Sequence, residues 1–295
     1  MSRLPLRGSR WAVTLGTALL MVSAVAGAAA AAPGPGEGTM HYYLALGDSL
    51  AAGAQPNQDG LTVPTKTGYA NDVLQAERTV IPGIQLRNMG CLGETTTSMI
   101  AGGVCSYGQG SQLGQAVHFL QRNAGSVSFV TIDIGANDVD GCIKDGSVGL
   151  PCVQQAFANV QKNLPAIMSQ LRAAAPGVPI VGMNYYDPFL AAWLQGPAGQ
   201  TLAQQSEQLA EQYNGAIDAV YGAFGAPVAD VQTTFSTSDF TDQVNLPGFG
   251  PVPRNVARVC EWTWMCVAPP RGPNIHANGK GYLEMAAAFE AVLSP

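Results

Sequence analysis

Short apolar runs of strand character alternate with helical patterns along most of this chain, and that alternation limits the possible folds more than any other feature. Five such runs occur, at residues 41–46, 85–89, 128–134, 179–184 and 227–231. Several of them are apolar on consecutive positions, which is typical of strands covered on both faces. Strands that alternate with helices form a parallel sheet between helical layers. The pattern therefore predicts an α/β fold, a three-layer sandwich with a central five-stranded parallel sheet.

Two long helices and a C-terminal helix are predicted between and after these strands. One apolar face, spaced 4-3-4-3-4, comprises Val153, Phe157, Val160, Leu164, Ile167 and Leu171. A second such face comprises Leu209, Tyr213, Ile217, Val220 and Phe224. Both spacings match one side of an α-helix. Residues 282–293 form the last helix, whereas residues 232–275 show no clear periodicity and are predicted as a long loop, which in compact domains is usually functional or specially tied down.

The N-terminus has the features of an export signal. Three arginines, Arg3, Arg7 and Arg10, precede an apolar run over residues 11–26 and a group of small residues. This order predicts a secretory signal peptide at residues 1–31 and a single domain at residues 32–295. The alternative is a membrane anchor, but the run is barely long enough and ends in Ala, Gly and Pro. We therefore expect a secreted, extracellular protein with no integral membrane segment in the mature chain.

The charge of the mature chain argues against two classes of partner. Without the three arginines of the signal, the 14 basic residues fall to 11, against 20 acidic ones, for a net charge of −9. The charges are sparse and interspersed, with no basic patch. Nucleic acid and anionic membrane surfaces are therefore poor partners. The mature protein is expected to be a monomer.

Six cysteines in an exported chain predict three disulfides. They fall as three close pairs, Cys91 and Cys105, Cys142 and Cys152, and Cys260 and Cys266. Sequential pairing is favoured because each pair closes one local loop, although fifteen connectivities are possible. No CxxC spacing occurs, which argues against a zinc site.

Polar loops follow the first three predicted strands. Gly47-Asp48-Ser49 follows the first, Gly90 the second, and a GAND segment at residues 135–138 the third. Ligands bind beyond the carboxyl ends of the strands in an open parallel sheet, so these loops should meet at one edge. Together they offer the Ser49 hydroxyl, the N–H of Gly90 and the amide of Asn137. These groups can attack a carbonyl carbon and hold the oxyanion that forms.

A general base is the missing part, and the chain has three histidines. His41 opens the first predicted strand, at the wrong end of the sheet. His118 lies within a helical pattern, where a packed or surface imidazole is expected. His276 precedes the last helix, in a loop that can fold over the edge of the sheet. By elimination, His276 is the candidate base.

These blocks resemble the SGNH, or GDSL-type, hydrolases. The resemblance rests on GDSL at 47–50, the Gly90 turn, GAND at 135–138 and the late His276, in the family's order across nearly all of the mature chain. It implies a flavodoxin-like three-layer α/β fold and hydrolysis of esters. It also implies Ser49 as nucleophile, His276 as base, and an oxyanion hole of the Ser49 N–H, the Gly90 N–H and the Asn137 side chain.

One position departs from the family pattern. The family usually has Asp three residues before the histidine, and here that residue is Pro273. The chain thereby resembles secreted actinobacterial members that use a Ser–His dyad and a backbone carbonyl, and that also tend to have three disulfides. The Pro273 carbonyl is then expected to orient His276. Asn274 is the alternative, and a remote carboxylate such as Glu261 or Asp239 is a third possibility.

The sequence thus predicts a secreted serine esterase or lipase that acts on a small-molecule or lipid ester through an acyl-serine intermediate, with no metal and no cofactor. A carbohydrate acetyl esterase is the alternative enzyme, and a non-catalytic glycan-binding module is the alternative from another class. Asp48 and Asp138 are expected to be structural, bonding local backbone N–H groups. The sequence does not indicate a role for Asp133, which lies in a predicted buried strand. Trp262 and Trp264 either face the substrate or pack their loop onto the body.

Overall fold

The computed structural model describes residues 40–144 and 147–293. The predicted signal peptide at residues 1–31 lies outside the described residues, so it stays a prediction. The described residues belong to one compact unit. Among them, no helix is both long and apolar enough to cross a bilayer.

A five-stranded parallel sheet forms the centre of the structure, as predicted. The strands of the described chain are β1 (Tyr42–Gly47), β2 (Gln55–Pro56), β3 (Thr62–Val63), β4 (Gln85–Asn88), β5 (Val127–Asp133), β6 (Ile143–Lys144), β7 (Ser147–Val148), β8 (Ile180–Met183), β9 (Val228–Ala229), β10 (Gln243–Leu246) and β11 (Gly250–Pro253). The order in the main sheet is β4-β1-β5-β8-β9, and its pairings are parallel. All five predicted strands are present, with ends shifted by one or two residues at most.

The helices of the described chain are α1 (Tyr69–Glu77), α2 (Thr96–Ala101), α3 (Gln112–Asn123), α4 (Ala136–Val139), α5 (Leu150–Ala174), α6 (Pro197–Ala223), α7 (Val231–Thr234), α8 (Arg254–Trp262) and α9 (Gly279–Leu293). Two short 3-10 helices span Asp140–Cys142 and Pro188–Gln195. The three predicted helices correspond to α5, α6 and α9. Helix α1 packs on α9, while α3, α5 and α6 pack on one another in succession, so the sheet lies between helical layers.

The inner strands are buried along their whole length, which accounts for their consecutive apolar residues. Every residue of β1 is buried, and β5 is buried except at Ser128. Edge strand β4 is largely exposed and correspondingly polar. Because β1 and β5 are neighbours, in a register that sets Gly47 beside Asp133, their carboxyl ends meet. The loops that follow both strands are therefore brought to one place.

The prediction of a long loop at residues 232–275 is partly wrong. This segment contains the end of α7, the antiparallel pair of β10 and β11, and the helix α8. The hairpin strands have four residues each, and two prolines lie in β11, so no run is long enough for its periodicity to be recognised. Only the stretches between these elements are irregular.

Candidate active site

The first component of the site is a tight turn at the end of β1. Gly47 has a φ of +137°, and a β-carbon there would lie 2.1 Å from the carbonyl oxygen of Asp133. Only glycine fits both the backbone conformation and the close approach of the two strands. Asp48 and Ser49 follow, and Ser49 is 9% exposed. The chain turns here because the sheet ends, and the turn leaves the Ser49 side chain at the edge of the sheet.

Ser49 and His276 meet although 227 residues separate them. The Ser49 Oγ lies 2.8 Å from the His276 Nε2. His276 belongs to the segment that runs into α9, and this segment folds over the end of the sheet as the sequence suggested. The other two histidines lie elsewhere, with His41 close to Ser128 near the start of β5 and His118 within α3.

The other imidazole nitrogen of His276 contacts a side-chain amide. Nδ1 lies 2.7 Å from the Asn274 Oδ1, and the backbone N–H of His276 donates to the same oxygen at 3.1 Å. Because a backbone N–H can only donate, the atom that faces His276 must be the amide oxygen. Nδ1 therefore has the proton, and Nε2 is free to accept the proton of Ser49. The Asn274 Nδ2 donates to the Thr62 Oγ1 at 2.9 Å, which fixes the amide from its other side.

The structure corrects the expected partner of His276. The predicted acceptor was the Pro273 carbonyl, but the hydrogen bond goes to the Asn274 side chain. An amide two residues before the histidine can accept from both the backbone N–H and the ring of His276. The structure therefore has Asn274, the alternative named in the sequence analysis, as the hydrogen-bond partner of the His276 ring.

The remote carboxylates considered for this role are engaged elsewhere. Asp239 and Glu261 each form a salt bridge. Their partners are Arg254, at 3.0 Å, and Lys280, at 3.3 Å.

The disulfide loop Cys260–Cys266 fastens the histidine segment in place. The Trp264 N–H donates to the His276 carbonyl at 3.0 Å, and the Asn274 N–H donates to the Trp264 carbonyl at 3.1 Å. Trp262 is 7% exposed and packs against Phe235. Neither tryptophan is among the residues that line the cavity at Ser49. Trp262 therefore packs the loop onto the body of the protein, and the half-buried Trp264 lies against Arg271.

Asn137, on the short helix α4, lines the cavity together with Ser49 and His276. Its Nδ2 donates one hydrogen to the Glu94 carbonyl at 2.9 Å. An amide has two N–H hydrogens, and no acceptor for the second one is present among the described residues. The structure therefore brings Asn137 to the place that the sequence predicted.

Gly90 is not among the residues that line the cavity with Ser49, His276 and Asn137. Its N–H donates to the Asn88 Oδ1 at 2.8 Å, and the residue lines a separate groove, beside Asn88 and Ala52. A β-carbon on Gly90 would lie 2.4 Å from the Ala52 nitrogen, so glycine is required here for packing. The predicted oxyanion donor at Gly90 is thus contradicted by this hydrogen bond, because the N–H is already used.

A second glycine in the same loop was missed by the sequence analysis. Gly93 is exposed, has a φ of +78°, and directly precedes Glu94, whose carbonyl holds Asn137. Within the described chain, no hydrogen bond from the Gly93 N–H is present. The available signal was the repeated glycine in the segment that follows Gly90.

A cavity opens beside Ser49 and His276. Most of its wall comes from α4, the 3-10 helix Pro188–Gln195 and α6. The apolar lining includes Leu50, Ala136, Val139, Phe189, Leu209 and Ala210. Tyr185 and Tyr186, which follow β8, also line it, as do Asp48, Asp140 and Asp187. Apolar walls that meet a few polar groups at one end are typical of a binding site for a small organic molecule.

Burial shifts the ionisation of the groups around this cavity. It lowers the pKa of His276 to about 4, so the imidazole is a neutral base at neutral pH. Burial, and then the charges of Asp48 and Asp187, raise the pKa of Asp140 to about 7. Burial likewise raises the pKa of Asp187 to about 6. The acidic groups of the cavity therefore hold their protons more tightly than acids in water do.

Asp48 bonds a local backbone N–H, as expected, whereas Asp138 bonds a residue of another loop. The Asp48 Oδ1 accepts the N–H of Leu50 at 2.9 Å. The Asp138 carboxylate accepts the N–H of Thr96 at 2.8 Å and its hydroxyl at 2.7 Å. Asp138 thereby ties the start of α2 to α4, which stabilises the loop that follows β4.

Three disulfides join the cysteines in sequential order. They link Cys91 to Cys105, Cys142 to Cys152 and Cys260 to Cys266. This is the pairing that the sequence analysis favoured. Each bridge closes a loop next to the site, after β4, at the start of α5 and beside His276 respectively.

Comparison with known proteins agrees with this geometry. Residues 45–283 match the GDSL-like lipase/acylhydrolase family, a range that runs from β1 into α9. The chain belongs to this family. No match was found among curated protein sequences.

Solved structures support the fold of this GDSL-type chain. An extracellular lipase from Streptomyces rimosus superposes with a TM-score of 0.54 at 21% identity, over 85% of this chain and 99% of the other. A phospholipase A1 from Streptomyces albidoflavus gives a TM-score of 0.52 at 19% identity, over 84% and 99%. At these identities the likeness establishes the three-layer α/β fold alone.

Proposed function

We propose that this GDSL-type protein is a secreted serine esterase that hydrolyses neutral carboxylic esters with an apolar acyl chain. The observation that carries the proposal is the 2.8 Å contact between the Ser49 Oγ and the His276 Nε2 at the mouth of an apolar cavity. All the required groups come from one copy of the chain, so we propose that it acts as a monomer. Three disulfides support an extracellular location.

In this proposal, Ser49 attacks the ester carbonyl carbon while His276 takes the hydroxyl proton on Nε2. The Nδ1–H remains hydrogen-bonded to the Asn274 Oδ1, which orients the ring. The imidazolium then protonates the leaving alcohol, and the acyl group stays on the Ser49 Oγ. A water molecule, deprotonated by the same nitrogen, attacks the acyl-serine and releases the acid and the free serine.

The oxyanion of each tetrahedral intermediate needs positioned donors. We propose the Ser49 N–H and the free N–H of the Asn137 amide for this role. The Gly93 N–H replaces Gly90 as the third donor in this proposal, because the Gly90 N–H is used by Asn88 whereas no acceptor of the Gly93 N–H is present among the described residues. The bond from Asn137 to the Glu94 carbonyl keeps the two loops together.

The residues that line the cavity favour some ester substrates over others. Its apolar wall favours an acyl chain longer than acetyl, since each buried methylene contributes ~0.8 kcal/mol, or about fourfold in kcat/KM. Asp140 and Asp187 line the cavity and disfavour an anionic group inside it, because a phosphate or carboxylate there would meet their negative charge whenever they are ionised. Neutral acyl chains therefore fit better than charged ones.

Two measurements test the proposal. A fluorophosphonate should label the wild-type protein and not Ser49→Ala, while Ser128→Ala, a control on β5, should be labelled normally. A series of p-nitrophenyl esters of increasing chain length should then show kcat/KM rising by up to about fourfold per methylene until the cavity is full. Labelling that persists in Ser49→Ala contradicts the nucleophile. A preference for acetyl esters and acetylated xylan over longer chains would favour the carbohydrate esterase instead.

A further inference from the structure

Two carboxyl groups meet directly below the Ser49 turn. Asp133 ends β5 and is 0% exposed, and Asp48, which follows β1, is 1% exposed. Their side chains lie next to each other, because the Asp48 N–H donates to the Asp133 carbonyl at 3.0 Å and the successive amides of Leu50 and Ala51 donate to the two carboxyls, at 2.9 and 3.1 Å. Two carboxylates this close and this buried cannot both be charged, because each would meet a like charge out of reach of water. A proton on one of them removes this repulsion and supplies a donor for a hydrogen bond between the two.

The pair holds the backbone on both sides of the nucleophile. The N–H of Leu50 donates to the Asp48 Oδ1 at 2.9 Å, and the N–H of Ala51 donates to the Asp133 Oδ2 at 3.1 Å. The N–H of Asp48 itself donates to the Asp133 carbonyl at 3.0 Å. The Ala52 N–H donates to the Asp48 carbonyl at 3.1 Å. From Asp48 to Ala52, the Ser49 N–H is therefore the one amide without an acceptor among the described residues.

The groups around the pair are acids and phenols. Tyr69 on α1 donates to the Asp133 Oδ1 at 2.5 Å, and Tyr185 donates to the Asp48 Oδ2 at 3.2 Å. The other ionisable groups that act on the two carboxyls or feel their charge include Tyr43, Tyr186, Tyr213, Tyr221, Tyr282, Asp138 and Asp140. Burial, and then the charge of Asp48, raise the pKa of Asp133 well above its usual range, whereas the pKa of Asp48 rises to about 6. Asp133 therefore holds the proton at neutral pH.

We propose that Asp48 and Asp133 share one proton and together position the nucleophile, fixing the turn so that only the Ser49 N–H is left to bind the oxyanion. Asp133 is a positioning residue in this inference, which rests on the proposed acyl-transfer function. It gives a role to the one buried aspartate that the sequence left without an account. The protonated acid acts as a donor to Asp48 and as an acceptor for Ala51 and Tyr69, a combination that no apolar residue provides.

Two substitutions at Asp133 separate this role from simple packing. Asp133→Asn keeps a donor toward Asp48 and an acceptor toward the Ala51 N–H, and it is neutral like the protonated acid. Asp133→Leu keeps the approximate volume but loses every hydrogen bond. Asp242→Asn, at an exposed residue far from the cavity, is the matched control. The readouts are kcat and KM on a p-nitrophenyl ester, thermal unfolding, and the infrared band of protonated carboxylic acids at neutral pH.

Asp133→Asn should stay folded, retain kcat within about threefold, and lose one carboxylic acid component of the infrared band. Asp133→Leu should lower kcat by ~10²-fold with little change in KM, since a small displacement of a reacting group has effects of that size. The control should change none of these. Since Asp140 also titrates near neutral pH, Asp140→Asn identifies its own component of the band.

Three results would overturn the inference. They are an Asn variant as inactive as the Leu variant, an infrared band unchanged by Asp133→Asn, or full kcat in a folded Leu variant. If Asp133→Leu does not fold, the kcat and the infrared band of Asp133→Asn still test the inference. Failure of the proposed function is distinguishable, because the wild-type protein would then resist fluorophosphonate while the infrared test of the shared proton stands unaffected.

Discussion

Replacement of Asn274 by aspartate changes one atom of the site and adds a charge next to the base. The Asn274 Oδ1 lies 2.7 Å from the His276 Nδ1, so a carboxylate at this position could accept the same two hydrogen bonds from the ring and the backbone. The difference is electrostatic, because a carboxylate stabilises the imidazolium and a neutral amide does so only weakly. Asn274→Asp therefore isolates the contribution of the charge from the contribution of orientation.

The size of the effect follows from this geometry. Burial lowers the pKa of His276 to about 4, so the wild-type base is neutral above that pH, and activity should fall only as the pH drops through about 4. A unit charge about 4 Å from the imidazolium contributes ~4 kcal/mol at an effective dielectric constant of about 20. That is an upper bound of about three pH units, and opposite charges at such distances raise pKa values by about 1–3 units. The acid limb of kcat/KM should move up by that amount.

The assay is the pH dependence of kcat/KM for a neutral ester between about pH 3 and pH 9, followed by titration of the released acid or by chromatography. The control is Asn274→Ala, which removes both orientation and hydrogen bond. It should lose ~10²–10⁴ in kcat, as disruption of the third member of a serine triad does. An acid limb that Asn274→Asp leaves in place, or an Asn274→Ala variant with wild-type kcat, would refute the assignment of Asn274 as the orienting group.

Three further predictions concern single residues of the cavity. Ser49→Ala should fold normally and lose at least ~10³-fold in kcat, measured on the same ester, and more than a tenth of wild-type turnover would contradict a nucleophilic role. Asn137→Ala should lower kcat by ~10²–10³-fold with little change in KM, whereas an effect on KM alone would place Asn137 in substrate binding. Asp140 has a pKa of about 7 in the fold against 3.8 for an ordinary aspartate, so its ionisation reduces stability as the pH rises between these values. Asp140→Asn should therefore raise the free energy of unfolding at pH 8, relative to pH 4, by more than about 1 kcal/mol in urea titrations, and equal differences in both proteins would contradict the buried acid.

The sheet and the position of Ser49 at its edge were predictable because periodicity and turn chemistry are local. The buried β1 and β5 are apolar on consecutive positions, and GDSL and GAND follow them directly. Once parallel strands are assumed, the meeting of Ser49 and Asn137 follows from their positions at neighbouring strand ends. His276 could be inferred only by elimination, since no local pattern shows where a loop will fold.

Two parts of the site depend on geometry that the sequence does not contain. Gly90 and Gly93 are both glycines of one short loop, and only the structure shows that the N–H of the first is taken by Asn88. Asn274 and Pro273 are adjacent candidates for one acceptor, and the choice depends on which oxygen reaches the ring. Sequence spacing cannot distinguish neighbouring residues of one loop in this way.

The neutral partner of His276 is consistent with the charge of its surroundings. Asp48, Asp140 and Asp187 already line the cavity, and burial raises the pKa of each. A further carboxylate at position 274 would add desolvation and like-charge repulsion to the resting state, and it would be compensated only while the imidazole is protonated. An amide fixes the same tautomer without adding a charge. The imidazole of His276 therefore stays neutral down to about pH 4. In the proposed mechanism, the oxyanion donors and the turn held by Asp48 and Asp133 supply the stabilisation that an ion pair would otherwise supply.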